Sequence, residues 1–308
     1  MTYRWSWTWT LLSGTALLAW PGLSKEMTLE DLADPDAQPE VLGRGYGFCE
    51  GPAADPVGNI YFSDGKNDTI HFYETGKPVV PWVTNSLDAN GMMFNPAGEL
   101  VVCEGAAFRV VAYNVTTRTY RVLVGGGPQR EFNEPNDLAV DRYGGFYFTD
   151  PNYRHRGQEA IRKEDVYYVA PDGRVTCVSK VCQKPNGILL SADERYLYVA
   201  DNAGRCLYRY DVLAPGQLTN EVRWVDLDAN PDGMTADEHG NIYVACGRTG
   251  IRVVSPSGRI IGTVLPGRYA SNVVFGGPDF RTLFITSQRE FLALRMKVRG
   301  VLPWGARR

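Results

Sequence analysis

Six stretches of the chain repeat one alternation of polar and apolar positions. Each opens on a short polar residue or Glu, runs through an apolar stretch, and places Asp, Asn, Ser or Gly at the fifth position after the opening. A tight turn follows, then a β-branched or aromatic run. The stretches begin at Glu50, Asn90, Asn136, Asn186, Asp232 and Asn272, at spacings of 40, 46, 50, 46 and 40 residues. Gly58, Gly98, Gly144 and Gly240 fill the eighth position of four copies; the fourth and sixth carry one extra turn residue and lack that glycine. Hairpin patterns lie between copies, as in 72–83, 166–178 and 251–264. Four short strands per 40–50 residues, repeated, are the mark of propeller blades. The pattern therefore predicts an all-β fold, a six-bladed β-propeller. No stretch sustains a helical period, although 27–32 predicts one turn of helix. The last strands are expected after Phe291 and to end near Leu302.

Length changes little once the repeat is seen. A chain of 308 residues would suggest two domains by size alone, but one closed ring over 41–302 accounts for most of it, preceded by an extension at 25–40. Residues 1–24 carry a single charge, Arg4, an apolar run from Trp5 to Trp20, and small residues at Gly22 and Ser24. This reads as a signal peptide, too short in its apolar part to span a bilayer. The chain is expected to be exported, periplasmic or secreted, with no membrane insertion of the mature part. A net charge of −3 argues against nucleic acid as a partner. The six cysteines are scattered, several in apolar strand patterns, so no disulfide framework is expected; Cys177 and Cys182 are the one close pair. Three histidines, none near another in sequence, disfavour a multi-His zinc site, and His71 and His239 are expected in solvated hairpin or turn positions.

The six opening residues all carry side-chain oxygen, and four precede Gly51, Gly91, Gly187 and Gly233. Asn and Asp recur wherever a chain turns into a strand, and Gly permits close approach or positive φ. Turn chemistry explains Asn-Gly and Asp-Gly but not Glu50. In a propeller the same place in each blade also faces one axis, where two carboxylates and several amides would make a hard-cation site. Without a cation, two carboxylates in one pore repel, and one retains a proton. Other chemistries lack their residues: no serine sits in a Gly-x-Ser-x-Gly elbow, no cysteine has a plausible His partner, and no phosphate loop opens a helix.

At Cys49-Glu-Gly-Pro52, Ala89-Asn-Gly-Met92, Glu134-Pro-Asn-Asp-Leu138, Tyr147-Phe-Thr-Asp-Pro-Asn-Tyr153, Lys184-Pro-Asn-Gly187 and Pro231-Asp-Gly-Met234, the chain resembles the SMP-30/gluconolactonase/LRE-like family of six-bladed propellers. The resemblance runs over roughly 41–290, and 136–153 looks most like its bacterial gluconolactonase branch. It implies a divalent metal, usually Ca2+, at the mouth of the channel, on Glu50, Asn136, Asn186 and Asp232, with Asp137 an alternative to Asn136. It implies hydrolysis of a small-molecule lactone, with Asp232 as acid and base. Asn90, Asp137, Glu104, Asp150, Tyr153 and Arg154 are candidates for substrate contact. The loop Asn152-Tyr-Arg-His-Arg-Gly157 departs from the family in being basic, which bears on substrate identity more than on reaction class. A phosphotriester hydrolase on the same scaffold, or a propeller that only binds a ligand or protein, are the rival readings.

Overall fold

A computed structural model describes residues 27–154, 157 and 159–301. The expected signal peptide, His155, Arg156 and the tail beyond Val301 lie outside them. One helical turn, Leu29–Leu32, is followed by antiparallel strands, with short 3-10 turns at Gly65–Asn67 and Gly105–Ala107. Thr28 and Asp31 cap that turn reciprocally, the Asp31 carboxylate accepting from the Thr28 backbone and hydroxyl, each at 2.8 Å. No helix among the described residues is long and apolar enough to cross a membrane.

The repeats fold as the polar–apolar alternation requires. Unit two is Ala89–Phe94, Leu100–Glu104, Arg109–Tyr113 and Tyr120–Gly125, paired in sequence order. Units three, four and five repeat this plan, beginning with Leu138–Val140, Pro185–Leu190 and Met234–Ala236. Six separate sheets were expected, and here the hydrogen bonding differs. Among the described residues there are five sheets, four of four strands and one of six. The reason is that two strands run long. Glu40–Ala54 pairs by its first half with the end of Thr282–Arg295 (Val41 opposite Leu292, Arg44 opposite Glu290). By its second half it pairs with Ile60–Asp64, Glu50 opposite Ser63. The end of the chain after Phe291 is thus the second half of one strand, closed by a strand from the N-terminal side.

Packing follows the repeat rather than the sheet count. Each of six apolar clusters joins two neighbouring units among the described residues. The cluster across the closure holds Cys49, Phe62, Phe280, Phe284 and Phe291, with the Phe62 and Phe291 rings stacked at 4.2 Å. Ser271 Oγ also donates to the Cys49 carbonyl at 2.9 Å, tying the last unit to the first. All six cysteines are unpaired, including Cys177 and Cys182. His71 corrects its expected solvated position. It lies partly buried in the strand Thr69–Tyr73, stacked on Phe62 and 4.0 Å from Asp64, and burial lowers its proton affinity.

The shared turn also survives where its glycine is missing. Gly58, Gly98, Gly144 and Gly240 have φ of 91°, 79°, 86° and 81°; Glu194 and Phe280 adopt 57° and 54° at the corresponding place in units four and six. At Gly98 a methyl group would meet nothing within 4 Å, whereas at Gly51, φ 42°, it would lie 2.0 Å from the Asn90 carbonyl oxygen. The two glycines therefore do different work. Gly98→Ala is expected to cost about 1 kcal/mol, the strain of a left-handed alanine. Gly51→Ala adds a backbone clash and should cost about 3 kcal/mol. Urea unfolding midpoints of the two variants check this order; equal losses would contradict the packing argument.

Candidate active site

A pocket of about 570 Å³ opens at one end of the channel. Glu50, Asn90, Asn136, Asn186 and Asp232 line it, with Tyr153, Tyr269, Phe48, Lys66, Asp88 and Asn202 as the rest of its polar and aromatic wall. The local cause is visible in the strand register. Pairing shifts between Glu50 and Ala53, between Ala89 and Met92, and between Pro185 and Ile188. Each irregularity falls on the opening residue and its glycine, and a bulge re-aims a side chain out of the pleat. Asn136 and Asp232 stand just before their strands Leu138–Val140 and Met234–Ala236, each tied to the next strand by its own N–H, to the Thr149 and Ala245 carbonyls at 2.9 Å.

Asn272 breaks the expected ring of six. Its strand pairs in unbroken register, Asn272 opposite Thr286, so the side chain stays below the mouth. There it lines a second, mostly apolar cavity of about 150 Å³ with Asp137, Met92, Ile188 and Met234. Its Oδ1 takes the Val273 N–H at 2.8 Å, and its amide holds down the proton affinities of Glu50 and Asp137. The channel is thus polar at the mouth and apolar below, with Asn272 between. Asn136, not Asp137, reaches the mouth.

Three other candidates for substrate contact are placed elsewhere. Glu104 is buried against Arg109 Nε at 2.6 Å and the Tyr113 hydroxyl at 2.8 Å. Asp150 is fully buried and accepts the Asn133 backbone N–H at 2.9 Å. Arg154 is exposed and pairs with Glu159 at 2.9 Å. None of the three lines the pocket, because each ends its strand pointing away from the axis or lies beyond it. Sequence reasoning missed Phe48 and Asp88. Both stand two residues before an opening residue, Glu50 or Asn90; Phe48 shares the strand of Glu50, where a period of two sets residues on one side, whereas Asp88 precedes its strand at φ 59°. Lys66, Asn202 and Tyr269 come from short connections at the same rim and carried no pattern.

Electrostatics at the mouth are one-sided. Burial raises Glu50 to about 7, against hydrogen bonds from Gly51, Asn272 and Ser271. Burial also raises Asp137 to about 7, and the Glu50 charge adds to it. Asp232 is pushed well above the carboxylate range by burial, then by repulsion from Glu50 and Asp137. The Tyr269 hydroxyl rises to about 12, by burial and by the Asp232 and Glu50 charges. Among the described lining residues Lys66 is the single cation. This array can bind a hard cation or hold a proton. No three His, Cys, Asp or Glu side chains among the described residues converge as a ready metal cluster; the lining offers the carboxylates of Glu50, Asp232 and Asp88 and neutral amides.

Asp150 tests the same energetics away from the pocket, since burial raises it too, to about 7. A carboxyl whose proton affinity is higher folded than unfolded binds more protons in the native state. It therefore costs stability as pH rises from about 4 to about 7, and no further above that. Asp150→Asn keeps an acceptor for the Asn133 N–H and should flatten the stability profile by about 1.4 kcal/mol per pH unit across that window. Denaturation at pH 4.5, 5.5, 6.5 and 7.5 reads the slope directly; an unchanged slope would show that Asp150 is ionised throughout.

Comparisons place the chain by family and fold. Residues 48–289 match the family described as SMP-30/Gluconolactonase/LRE-like region. A gluconolactonase of Zymomonas mobilis is 28% identical over 304 residues, covering 88% of this chain and 85% of its own. A solved gluconolactonase of Xanthomonas campestris is 26% identical with a TM-score of 0.78, covering 85% of this chain and 90% of that one. The calcium-binding protein regucalcin of Agrobacterium tumefaciens shares the fold at 19% identity, with a TM-score of 0.75 over 88% of this chain and 98% of that one. With its propeller, its bulged inner strands and its oxygen-lined mouth, this chain belongs to the SMP-30/gluconolactonase/LRE-like family.

Proposed function

We propose that the chain is a divalent-metal-dependent lactone hydrolase of the gluconolactonase type, built on six blades. The six-stranded sheet is then two blades. One is the second half of Glu40–Ala54 with the three strands after it; the other is Asn272–Gly276 with both halves of Thr282–Arg295 and the closing segment 40–44. One apolar cluster per neighbouring pair of units supports that count.

The observation that carries the functional reading is the pairing of Glu50 and Asp232 with the amides of Asn136 and Asn186 around one pocket. Buried carboxylates without a neighbouring base are costly unless protonated or matched by a cation. Oxygen donors of both kinds suit calcium, which takes carboxylates and amide carbonyls together. Glu50, Asn136, Asn186 and Asp232 would hold it. When bound, the cation supplies Lewis-acid polarisation of the lactone carbonyl and offsets the oxyanion charge.

The chain's own groups do the rest. Asp232 takes a proton from the attacking water as its oxygen bonds to the carbonyl carbon, and returns that proton to the ring oxygen as the C–O bond breaks. The product is the open-chain hydroxy acid, and no other reactant is needed. A ligating carboxylate is ordinarily a poor base; here Glu50 and Asp137 act against that by repelling the Asp232 charge. Asn90 and the Tyr153 and Tyr269 hydroxyls offer hydrogen bonds to a polyhydroxylated ring, and Phe48 excludes water on one side.

Hydrolysis of glucono-δ-lactone, followed by acid release, is the direct test. Asp232→Asn is expected to lower kcat by about 10²–10⁴-fold, and chelation of divalent ions should abolish wild-type turnover. Activity that survives both treatments would sink the mechanism. The cation itself is checked by thermal shift. Because its carboxylate ligands must be ionised to bind, added Ca2+ should raise Tm more at pH 8 than at pH 5, and Glu50→Gln should remove most of the gain.

A further inference from the structure

Asn186 is held from outside its own blade. Thr149 Oγ1, at the end of Phe146–Thr149 in unit three, donates to the Asn186 carbonyl at 2.7 Å. The Asn186 amide nitrogen donates to the Tyr153 hydroxyl at 2.8 Å. Two residues of unit three, Thr149 and Tyr153, therefore grip both the main chain and the side chain of one pocket residue in unit four.

Tyr153 is itself fixed on several sides. Its backbone N–H donates to Glu134 Oε2 at 2.8 Å, and the Glu134 N–H donates to the Pro151 carbonyl at 3.0 Å. Lys184 Nζ lies 4.9 Å from the centre of the tyrosine ring, donates to the Asn152 carbonyl at 2.9 Å, and pairs with Glu164 at 2.9 Å. Arg154 then turns the chain away at φ 57°, its N–H on Asn152 Oδ1 at 2.8 Å. Lys184 belongs to the same Lys-Pro-Asn-Gly run as Asn186, so the clamp and its load are neighbours in sequence.

A neutral amide has two faces, and only its oxygen can ligate a cation. An asparagine free to rotate would present the wrong end for part of the time. The nitrogen is committed twice, one N–H on the Tyr153 hydroxyl and one toward Asp232, which leaves the oxygen as the end of the amide available to a cation. We infer that Tyr153 is a positioning residue for cation binding: it fixes the Asn186 amide, oxygen toward the pocket, and carries that constraint from unit three to unit four. This rests on the metal reading above and adds to it a residue that is not itself a ligand.

Calcium affinity measured by calorimetry on chelator-stripped protein separates the possibilities. Tyr153→Phe keeps the ring, its packing and the Lys184 contact, and removes only the hydroxyl that accepts from Asn186. It is expected to weaken calcium binding about tenfold, the usual scale for groups that orient a metal ligand, with Tm in chelator unchanged. The same loss should appear in an Asn136→Ala background and vanish in an Asn186→Ala background, since the effect runs through Asn186. Equal affinity of Tyr153→Phe and wild type overturns the inference alone. So does an undiminished tenfold loss in the Asn186→Ala background. Wild-type protein that binds no calcium overturns the metal reading and this inference with it. Should Tyr153→Phe lower Tm in chelator, Lys184→Met becomes the second probe. It loosens the ring without removing the hydroxyl, and should weaken calcium binding in the Asn136→Ala background but not in the Asn186→Ala background; a loss present in both overturns the inference.

Discussion

Close approach of the inner strands around the axis is the constraint from which the rest of the molecule follows. A methyl group on Gly51, Gly91, Gly187 or Gly233 would meet the next unit at 2.0, 2.3, 2.2 or 1.9 Å. Three of the four contacts involve the residue that opens the neighbouring repeat: Asn90, Asp232 and Asn272. The fourth is with Asp137, one position beyond Asn136. Main-chain bonds reinforce the approach, as from Gly91 N–H to the Asn136 carbonyl at 2.7 Å. The glycines are therefore spacers that set the width of the channel. They bring the polar residues beside them close enough to share one pocket.

That closeness has an energetic consequence. Removing carboxylates from water disfavours their charged form, and setting several together disfavours it further. Glu50, Asp137 and Asp232 experience both effects, and Asn272 relieves two of them with a single amide. The fold tolerates this because apolar packing lies elsewhere, between the blades and in the lower channel. Those contacts include fully buried Phe62, Phe148, Tyr243 and Phe291. A propeller separates the two tasks: large side chains between sheets supply stability, and small polar ones at the axis supply chemistry.

Much of this was legible in the chain because both tasks leave periodic marks. The fifth-position Asp or Asn, the turn glycine and the apolar run recur wherever a unit recurs, so strand order and the five mouth residues could be read directly. What escaped was set by geometry without a sequence period. The merging of first and last units depends on two long strands whose halves pair with different partners. Asn272 looks like its five counterparts in sequence, yet lacks the bulge that lifts Glu50 or Asn186 out of the pleat. Glu104 and Asp150 end strands as pocket residues could, but Arg109 and Asn133 claim them. Lys66 and Tyr269 sit on connections, where length and local turns decide direction.

The site is also not a property of the axis alone. If six repeats merely pointed six oxygens inward, each would be as ordered as its own strand end and no better. Asn186 shows a different arrangement, with its carbonyl held by Thr149 and its amide by Tyr153, both from the preceding unit. Asn272 is braced from within its own strand, by the Val273 N–H, whereas the brace on Asn186 comes from across the unit boundary. The loop after Asp150 carries the basic run Arg154-His155-Arg156. It is also the segment that supplies the brace. Substitutions there can therefore alter the pocket in two ways, directly at Tyr153 and indirectly through the rotational freedom of one amide.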